Sequence, residues 1–234
     1  MSPNLDALDW PAIEASLAEH GYATTEPFLD TPTCAELRRL YDDPKTPFRA
    51  TIDMARYNFG SGQYKYFNYP LPDLIGLLRA EFYARLAPIA NAWATALRME
   101  ADWPQELDDW LERCHTTGQV RPTPLLLRYG PGDYNCLHQD LYGSIHFPLQ
   151  VVILLSEPNV DFTGGELVLV EQRPRMQSRP ILPHLQQGAA AIIPVRERPR
   201  RGSRGYHRAA MRHGVGEIRS GERQTLGLIF HDAA

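Results

Sequence analysis

The chain has 234 residues, of which 43% are hydrophobic, and a formal charge of −4 at pH 7. This composition suffices for a sizeable buried core and excludes a disordered chain. No run of about eighteen apolar residues occurs, and Asp6 and Asp9 stand where a signal peptide carries basic residues; we therefore expect a cytoplasmic protein without a membrane partner. Cys34, Cys114 and Cys136 lack CxxC spacing, which predicts reduced thiols.

Helical patterns dominate the first half of the chain. Asp9 is placed to cap a first helix and Gly21 to end it, while Thr33 and Glu36 have the spacing of a capping box. Apolar residues then recur every three or four positions through a long segment in which Pro88 is a potential kink. We predict helices at about residues 10–20, 33–41, 71–99 and 106–114.

Residues 43–70 are rich in aromatic residues without clean periodicity, which predicts loops and short strands. Two explanations of these rings remain open: they pack a small strand layer, which we favour, or they stack on a planar substrate. The set comprises Tyr57, Phe59, Tyr64, Tyr66, Phe67 and Tyr69.

After Arg121 the pattern changes to short aliphatic and β-branched runs separated by Gly, Pro and Asn. Such spacing indicates a β-sandwich or jelly roll. We therefore expect an α+β fold, with a helical extension at 1–120 packed on a β core at 121–234, together forming one catalytic unit. The predicted strands are 124–129, 149–155, 165–170, 189–195, 215–218 and 224–230.

The sequence His138-Gln139-Asp140 follows a predicted strand and turn, so the two outer side chains can point to the same side of an extended backbone. A second histidine from a distant strand would complete two nitrogens and one carboxylate around a metal, an arrangement that suits Fe(II) and oxygen chemistry. His213 is the favoured candidate, because Arg223 follows ten positions later at the start of an apolar run. A buried arginine there fits a dicarboxylate.

Other histidines compete for this role, and a lone histidine is more often structural than a ligand. The main rival is His207, six residues before His213, which has the alternative role of lining the pocket. The remaining competitors are His115, His146, His184 and His231.

Three motifs together resemble the Fe(II)/2-oxoglutarate dioxygenases: residues 127–140, residues 162–167, and residues 212–226 with Arg212-His213-Gly214. The resemblance covers about residues 122–232, and the motif wording is similar to a bacterial group described as oxygenases for damaged DNA. It implies a double-stranded β-helix, with iron bound by His138, Asp140 and His213. It further implies that Arg223 pairs with 2-oxoglutarate and that Tyr129 hydrogen-bonds the same carboxylate, with O2 as oxidant.

The substrate is less well defined by the sequence. Residues 171–212 contain ten arginines against Glu171 and Glu197, a segment charge of +8 that suggests an anionic substrate such as nucleic acid. The bland alternative is a solvated, irregular loop, because several prolines interrupt this segment. Candidate substrate-binding residues are Asn135, Tyr142, Arg200, Arg201, Arg204 and His207.

Three functions follow from these observations. The favoured one is hydroxylation of a C–H bond, including oxidative demethylation of alkylated bases, with no obligate protein partner. The same iron site also serves hydroxylases of protein side chains or small metabolites. The non-enzymatic alternative is a jelly-roll binding module that holds a structural metal, against which Arg223 argues, because a structural site needs no dicarboxylate clamp.

Overall fold

The computed structural model describes residues 5–172, 176–203 and 205–234. The predicted helices are present, as α1 (Trp10–His20), α2 (Thr31–Arg39), α3 (Asp73–Ala96) and α4 (Leu107–Thr116). Short 3-10 turns lie at Leu5–Ala7 and Met54–Tyr57. No helix of the described part of the chain is both long and apolar enough to cross a membrane.

Side-chain caps fix the ends of the first two helices. The Asp9 carboxylate accepts a hydrogen bond from the Ala12 amide, and Gly21 ends α1 in the left-handed conformation, as predicted. The predicted start of α2 was wrong by two residues. The Asp30 carboxylate accepts the Thr33 amide at 2.9 Å, so Asp30 and not Thr33 is the N-cap.

The long helix α3 is the main cover of the β core. It contains Pro88 and buries a stripe that includes Leu78, Phe82 and Leu86, all at most 1% exposed. These side chains belong to one hydrophobic cluster with Val151 and Leu226 of the large sheet. Since a fully buried side chain of this size contributes about 1.5–3 kcal/mol, the helix is held by its apolar face.

Within the residues that the structure describes, the strands form three sheets. In chain order they are β1 (Ala23–Thr24), β2 (Phe48–Asp53), β3 (Gly60–Ser61), β4 (Gln63–Phe67), β5 (Leu125–Tyr129), β6 (Tyr134–His138), β7 (Leu149–Leu154), β8 (Phe162–Gly164), β9 (Leu167–Gln172), β10 (Arg179–Ile181), β11 (Ala190–Pro194), β12 (Glu197–Gly202), β13 (Gly205–Val215), β14 (Ile218–Gly221) and β15 (Arg223–Ile229).

The pairing is antiparallel throughout the named strands. A seven-stranded sheet has the order β1-β11-β7-β15-β5-β4-β2, and a six-stranded sheet combines β10-β9-β13-β6-β3 with β12 beside β13. Strands β8 and β14 form a small third sheet. Residues before 121 thus contribute strands to both large sheets as well as the helices.

The strand prediction at 215–218 was wrong: this stretch is the connection between β13 and β14, because Gly216 and Glu217 lie outside the ladder. The irregular loop that stayed open as an alternative for the arginine-rich segment is also wrong for its last part, where β12 and β13 pair antiparallel and Pro199 lies opposite Arg208. Cross-strand pairing outweighs the composition of that segment.

Candidate metal and dicarboxylate site

Two histidines meet across adjacent strands of the six-stranded sheet. His138 ends β6 and lies directly opposite His213 of β13 in the antiparallel register. Their ring centroids are 4.2 Å apart. Nδ1 of His138 lies 2.8 Å from the carbonyl oxygen of Cys136, a bond that orients the ring and leaves Nε2 directed at the cluster.

Asp140 joins the two histidines from the loop after β6. Its Oδ2 is 3.1 Å from Nε2 of His213, and its Oδ1 is 3.5 Å from Nε2 of His138. Ligand atoms of the three side chains all lie within 4.8 Å of one another, close enough to hold one metal ion. Gln139 points elsewhere and donates to the carbonyl oxygens of Arg196 and Met211, which fixes the backbone between the outer residues.

Neighbouring polar groups hold the Asp140 carboxylate. The Tyr142 hydroxyl donates to Oδ1 at 2.6 Å and the Gln150 side-chain amide to Oδ2 at 2.8 Å. Burial opposes ionisation of Asp140, but the imidazoles of His213 and His138 outweigh it and hold its pKa well below the usual range. Burial also lowers the pKa of His213, which favours the neutral imidazole that binds metals.

Arg223 and Tyr129 form a second polar group on the seven-stranded sheet. They are directly opposed in the register between β15 and β5, and both are at most 2% exposed. Within the described part of the chain, Nε and Nη1 of Arg223 have no hydrogen-bond partner. Burial lowers the pKa of Arg223 to about 10, so the guanidinium remains charged at neutral pH.

Such a cation is costly to bury unpaired. The Tyr129 hydroxyl accepts a hydrogen bond of 3.3 Å from the Asn135 side-chain amide. Tyr129, Asn135 and Arg223 all line one cavity. A carboxylate is the natural partner of a buried guanidinium, because its two oxygens match the fork of N–H donors.

A glycine pair makes room for Arg223. Gly164, the last residue of β8, and Gly165, which follows it, both have positive φ, +75° and +64°. A Cβ on Gly165 would overlap Cδ1 of Ile218 and come within 3.0 Å of Cδ of Arg223. The second glycine therefore borders the arginine stem.

One cavity of about 390 Å³ connects the two polar groups. Its lining includes all three members of the His-Asp-His cluster together with Arg223, Tyr129, Asn135 and Tyr142. His207, Arg200 and Arg201 do not line it. His207 lies six residues before His213 along β13, about 20 Å away in an extended strand, and Arg204 lies outside the described residues.

Two glutamates pair with three arginines of the β12–β13 hairpin. Arg198 donates to Glu171 from Nε and Nη2 at 3.0 and 2.6 Å, and Arg200 donates to the other oxygen of that buried carboxylate at 3.0 Å. On the exposed side Arg208 pairs with Glu197 at 3.0 Å. Within the described residues, three of the ten arginines of segment 171–212 are therefore paired, with the two glutamates that its charge of +8 already includes.

Gln150 was not identified from the sequence as a site residue, and Phe59 was named only as one of the aromatic set. Gln150 is a polar residue within the apolar strand Leu149–Leu154, and that isolated position was the available signal. Phe59 lines the cavity from a segment that lies about eighty residues before the histidine motif, and no local pattern connects the two.

The residues present fit Fe(II) and 2-oxoglutarate. Two imidazoles and one carboxylate on one side of a cavity are the ligand set of non-haem Fe(II) oxygenases. The buried, unpartnered guanidinium nitrogens of Arg223 supply the donor for a dicarboxylate in the same cavity.

Comparisons with known proteins agree with this chemistry. Residues 62–233 match the model of the Oxygenase-NA family, described as an oxygenase catalysing oxidative methylation of damaged DNA. An uncharacterized protein of Mycobacterium tuberculosis (strain H37Rv) is 55% identical over 165 residues, which cover 70% of this chain and 71% of that protein.

Solved structures show the fold. An oxidoreductase of the 2OG-Fe(II) oxygenase family from Burkholderia pseudomallei has a TM-score of 0.55 at 17% identity, covering 96% of this chain and 92% of that one. A Pseudomonas putida prolyl-4-hydroxylase has a TM-score of 0.52 at 16% identity, covering 96% and 99%. This fold and the His-Asp-His cluster imply Fe(II), 2-oxoglutarate and O2 as cofactors, as the sequence resemblance predicted. The chain belongs to the Oxygenase-NA family and is an oxygenase with the fold of the Fe(II)- and 2-oxoglutarate-dependent enzymes.

Proposed function

We propose that His138, Asp140 and His213 bind Fe(II) and that Arg223 and Tyr129 hold the distal carboxylate of 2-oxoglutarate. The observation that carries this proposal is the single cavity lined both by the three metal-binding side chains and by a buried arginine with unpartnered nitrogens. A structural metal site would need the three metal-binding side chains but not the buried, unpartnered arginine.

With Fe(II), 2-oxoglutarate and O2 bound, such a site would place one oxygen atom of O2 into a substrate C–H, giving C–OH, and the other into succinate as 2-oxoglutarate loses CO2. A hydroxylated N-methyl group would then split into N–H and formaldehyde. The chain's own contribution is to hold the metal-binding side chains in position. Tyr142 and Gln150 fix the Asp140 carboxylate, and the backbone oxygen of Cys136 fixes the His138 ring. The apolar lining, including Leu127 and Val152, keeps water from the reacting C–H.

The substrate that we infer is an alkylated nucleic acid base. The matched family is described as acting on damaged DNA. Direct support from the hairpin is weaker than the sequence suggested, because Arg198, Arg200 and Arg208 are paired with glutamates. Arg201 and Arg212 are exposed and remain candidates there for phosphate contacts.

We also infer that the two large sheets form a double-stranded β-helix. The main strands of residues 121–234 place the histidines on one sheet and the arginine on the other, facing one cavity. Helix α3 and strands β2 and β4 support this core from the first 120 residues. In this proposal the whole chain is one catalytic unit.

The test is succinate formation with Fe(II), 2-oxoglutarate and O2, measured with methylated oligonucleotides, peptides and free amino acids as substrates. Succinate coupled to formaldehyde release from a methylated oligonucleotide is the expected result. His138→Ala, Asp140→Ala and His213→Ala should each abolish turnover, because too few protein bonds remain to hold the metal. His207→Ala is the matched control, and its inactivity alongside an active His213→Ala would overturn the ligand assignment.

A further inference from the structure

Two aromatic rings are exposed at the mouth of the cavity. Tyr57 and Phe59 are 55% and 45% exposed, and their rings stack with centroids 5.5 Å apart and planes 19° from parallel. Phe59 and Asn58 line the cavity that contains the histidines. Aromatic rings normally bury their large apolar surface, so a stacked pair left in solvent at a site entrance calls for a functional explanation.

Packing explains the aromatic residues of strand β4 but not these two. Tyr66 and Phe67 are buried at 7% and 0%, and Phe67 packs on Phe48 with centroids 4.8 Å apart. The packing explanation favoured from the sequence therefore holds for strand β4 and fails at Tyr57 and Phe59.

The backbone beneath the two rings is firmly anchored. Met54 is fully buried, and its carbonyl oxygen accepts the amides of Asn58 and Phe59. The carbonyl oxygen of Phe59 accepts the Cys136 amide at 2.8 Å, which ties the segment to the strand that carries the first histidine. At Gly60 a Cβ would overlap the carbonyl oxygen of Tyr134, so this close approach depends on glycine.

Aliphatic side chains complete the entrance. Leu137 and Leu141 are each 41% exposed and line the same cavity. They flank the His138-Gln139-Asp140 segment, so the apolar rim and the metal-binding side chains share one stretch of chain. The entrance thus presents a flat aromatic surface and aliphatic contacts to whatever approaches the metal.

We propose that Tyr57 and Phe59 form a stacking platform for a nucleobase that enters the cavity. A base must leave its helix or come from a single strand before an enzyme can act on its ring or its methyl group. Stacking on aromatic side chains then replaces the neighbours that the base has lost, with little sequence preference. This inference rests on the proposed function and adds the residues that receive the base.

The experiment measures binding and turnover separately. A fluorescent single strand with one N-methylated adenine is titrated with the Fe(II)- and 2-oxoglutarate-loaded protein without O2. Loss of both rings in the Tyr57→Ala/Phe59→Ala double variant should weaken binding about 5- to 150-fold, the usual range for losing base stacking. Tyr57→Phe should bind like the parent chain, and Leu77→Ala, which removes an exposed leucine of α3, is the matched control.

A second signal reports the stacking itself. With 2-aminopurine in place of the methylated base, the parent chain should quench its fluorescence and the double variant should not. Equal binding and equal quenching in the two proteins would overturn the platform, as would no binding of any oligonucleotide by the parent. Failure of the oxygenase proposal is distinct, since the parent would then make no succinate from any substrate while the binding difference persisted.

Discussion

Two arginines, Arg79 and Arg223, are almost completely buried, at 1% and 2% exposure, but their surroundings differ. Arg79 of α3 donates to Asp232 at 2.8 Å, to the Tyr69 hydroxyl at 2.9 Å and to the carbonyl oxygen of Ile229 at 3.0 Å. Arg223 has two nitrogens without a partner in the described residues.

Within the part of the chain that the structure describes, the comparison separates a buried arginine that the fold pairs from a buried arginine that it leaves without a counter-ion. Arg79 has its counter-ion built into the fold, so its charge holds the C-terminal segment to the long helix. Arg223 has no such counter-ion at Nε and Nη1 among the described residues, which supports the proposal that a ligand carboxylate completes the pairing. Satisfaction of hydrogen bonds, more than burial, therefore distinguishes the two.

The largest effect is expected on stability from Arg79→Ala. Removing this partner leaves the fully buried Asp232 carboxylate without its cation and should lower the free energy of unfolding by about 3–5 kcal/mol. Urea unfolding measures this value. Removing both charges, in Arg79→Met/Asp232→Leu, should recover part of the loss, and a single variant less than 1 kcal/mol below the parent would contradict the structural role.

Ligand binding should stabilise the parent chain through Arg223. At a 2-oxoglutarate concentration one hundred times its Kd, with Fe(II) and without O2, the expected gain is about 2.7 kcal/mol. The same concentration should give Arg223→Ala about 1.4 kcal/mol or less, because its Kd is higher. Thermal unfolding with and without 2-oxoglutarate checks this, and equal gains would assign the carboxylate to another residue.

The affinity for 2-oxoglutarate should itself fall when Arg223 is replaced. Arg223→Ala should weaken 2-oxoglutarate binding by about 1.5–3 kcal/mol, the usual contribution of a hydrogen bond to a charged group, while Fe(II) binding persists. Lysine should restore only part of it, since it lacks the guanidinium fork. Arg223→Met, which keeps most of the volume, should leave the stability of the ligand-free protein close to that of the parent, unlike Arg79→Ala. Titration calorimetry without O2 gives the affinities.

The smallest effect is expected from an exposed arginine. Arg208 pairs with Glu197 at 3.0 Å on the hairpin, and its side chain is 54% exposed. Solvent screens such a pair, so Arg208→Ala should change the free energy of unfolding by less than about 1 kcal/mol. A loss as large as that of Arg79→Ala would show that partner geometry, and not burial, sets the stabilisation.

Local patterns predicted much of the fold, because helices are set by caps and by the spacing of apolar residues within one segment. Asp9, Gly21 and the stripe of α3 are examples. The sequence also selected residues that converge on the cavity: His138 ends β6, and Asp140, two residues later in the following loop, reaches the same side. Their role as iron ligands stays a prediction.

Long-range pairing explains what the sequence could not predict. The β12–β13 hairpin was missed because prolines, including Pro199, are disfavoured in strands, and Glu171, the partner of Arg198 and Arg200, comes from a different strand. The exposure of Tyr57 and Phe59 was equally undetermined, because nothing in an aromatic-rich segment shows which rings the sheet will cover.

The glycine beside Arg223 has a consequence for how the sequence can vary. Position 165 has positive φ, and even the smallest side chain there would press on Ile218 and on the arginine stem. In a saturation library selected for 2-oxoglutarate turnover, we expect glycine alone to survive at 165. Exposed positions such as Val160, five residues earlier and 79% exposed, should accept most amino acids. An invariant glycine at position 165 would then show that the Arg223 side chain, at the proposed 2-oxoglutarate end of the cavity, leaves no room for a neighbouring side chain.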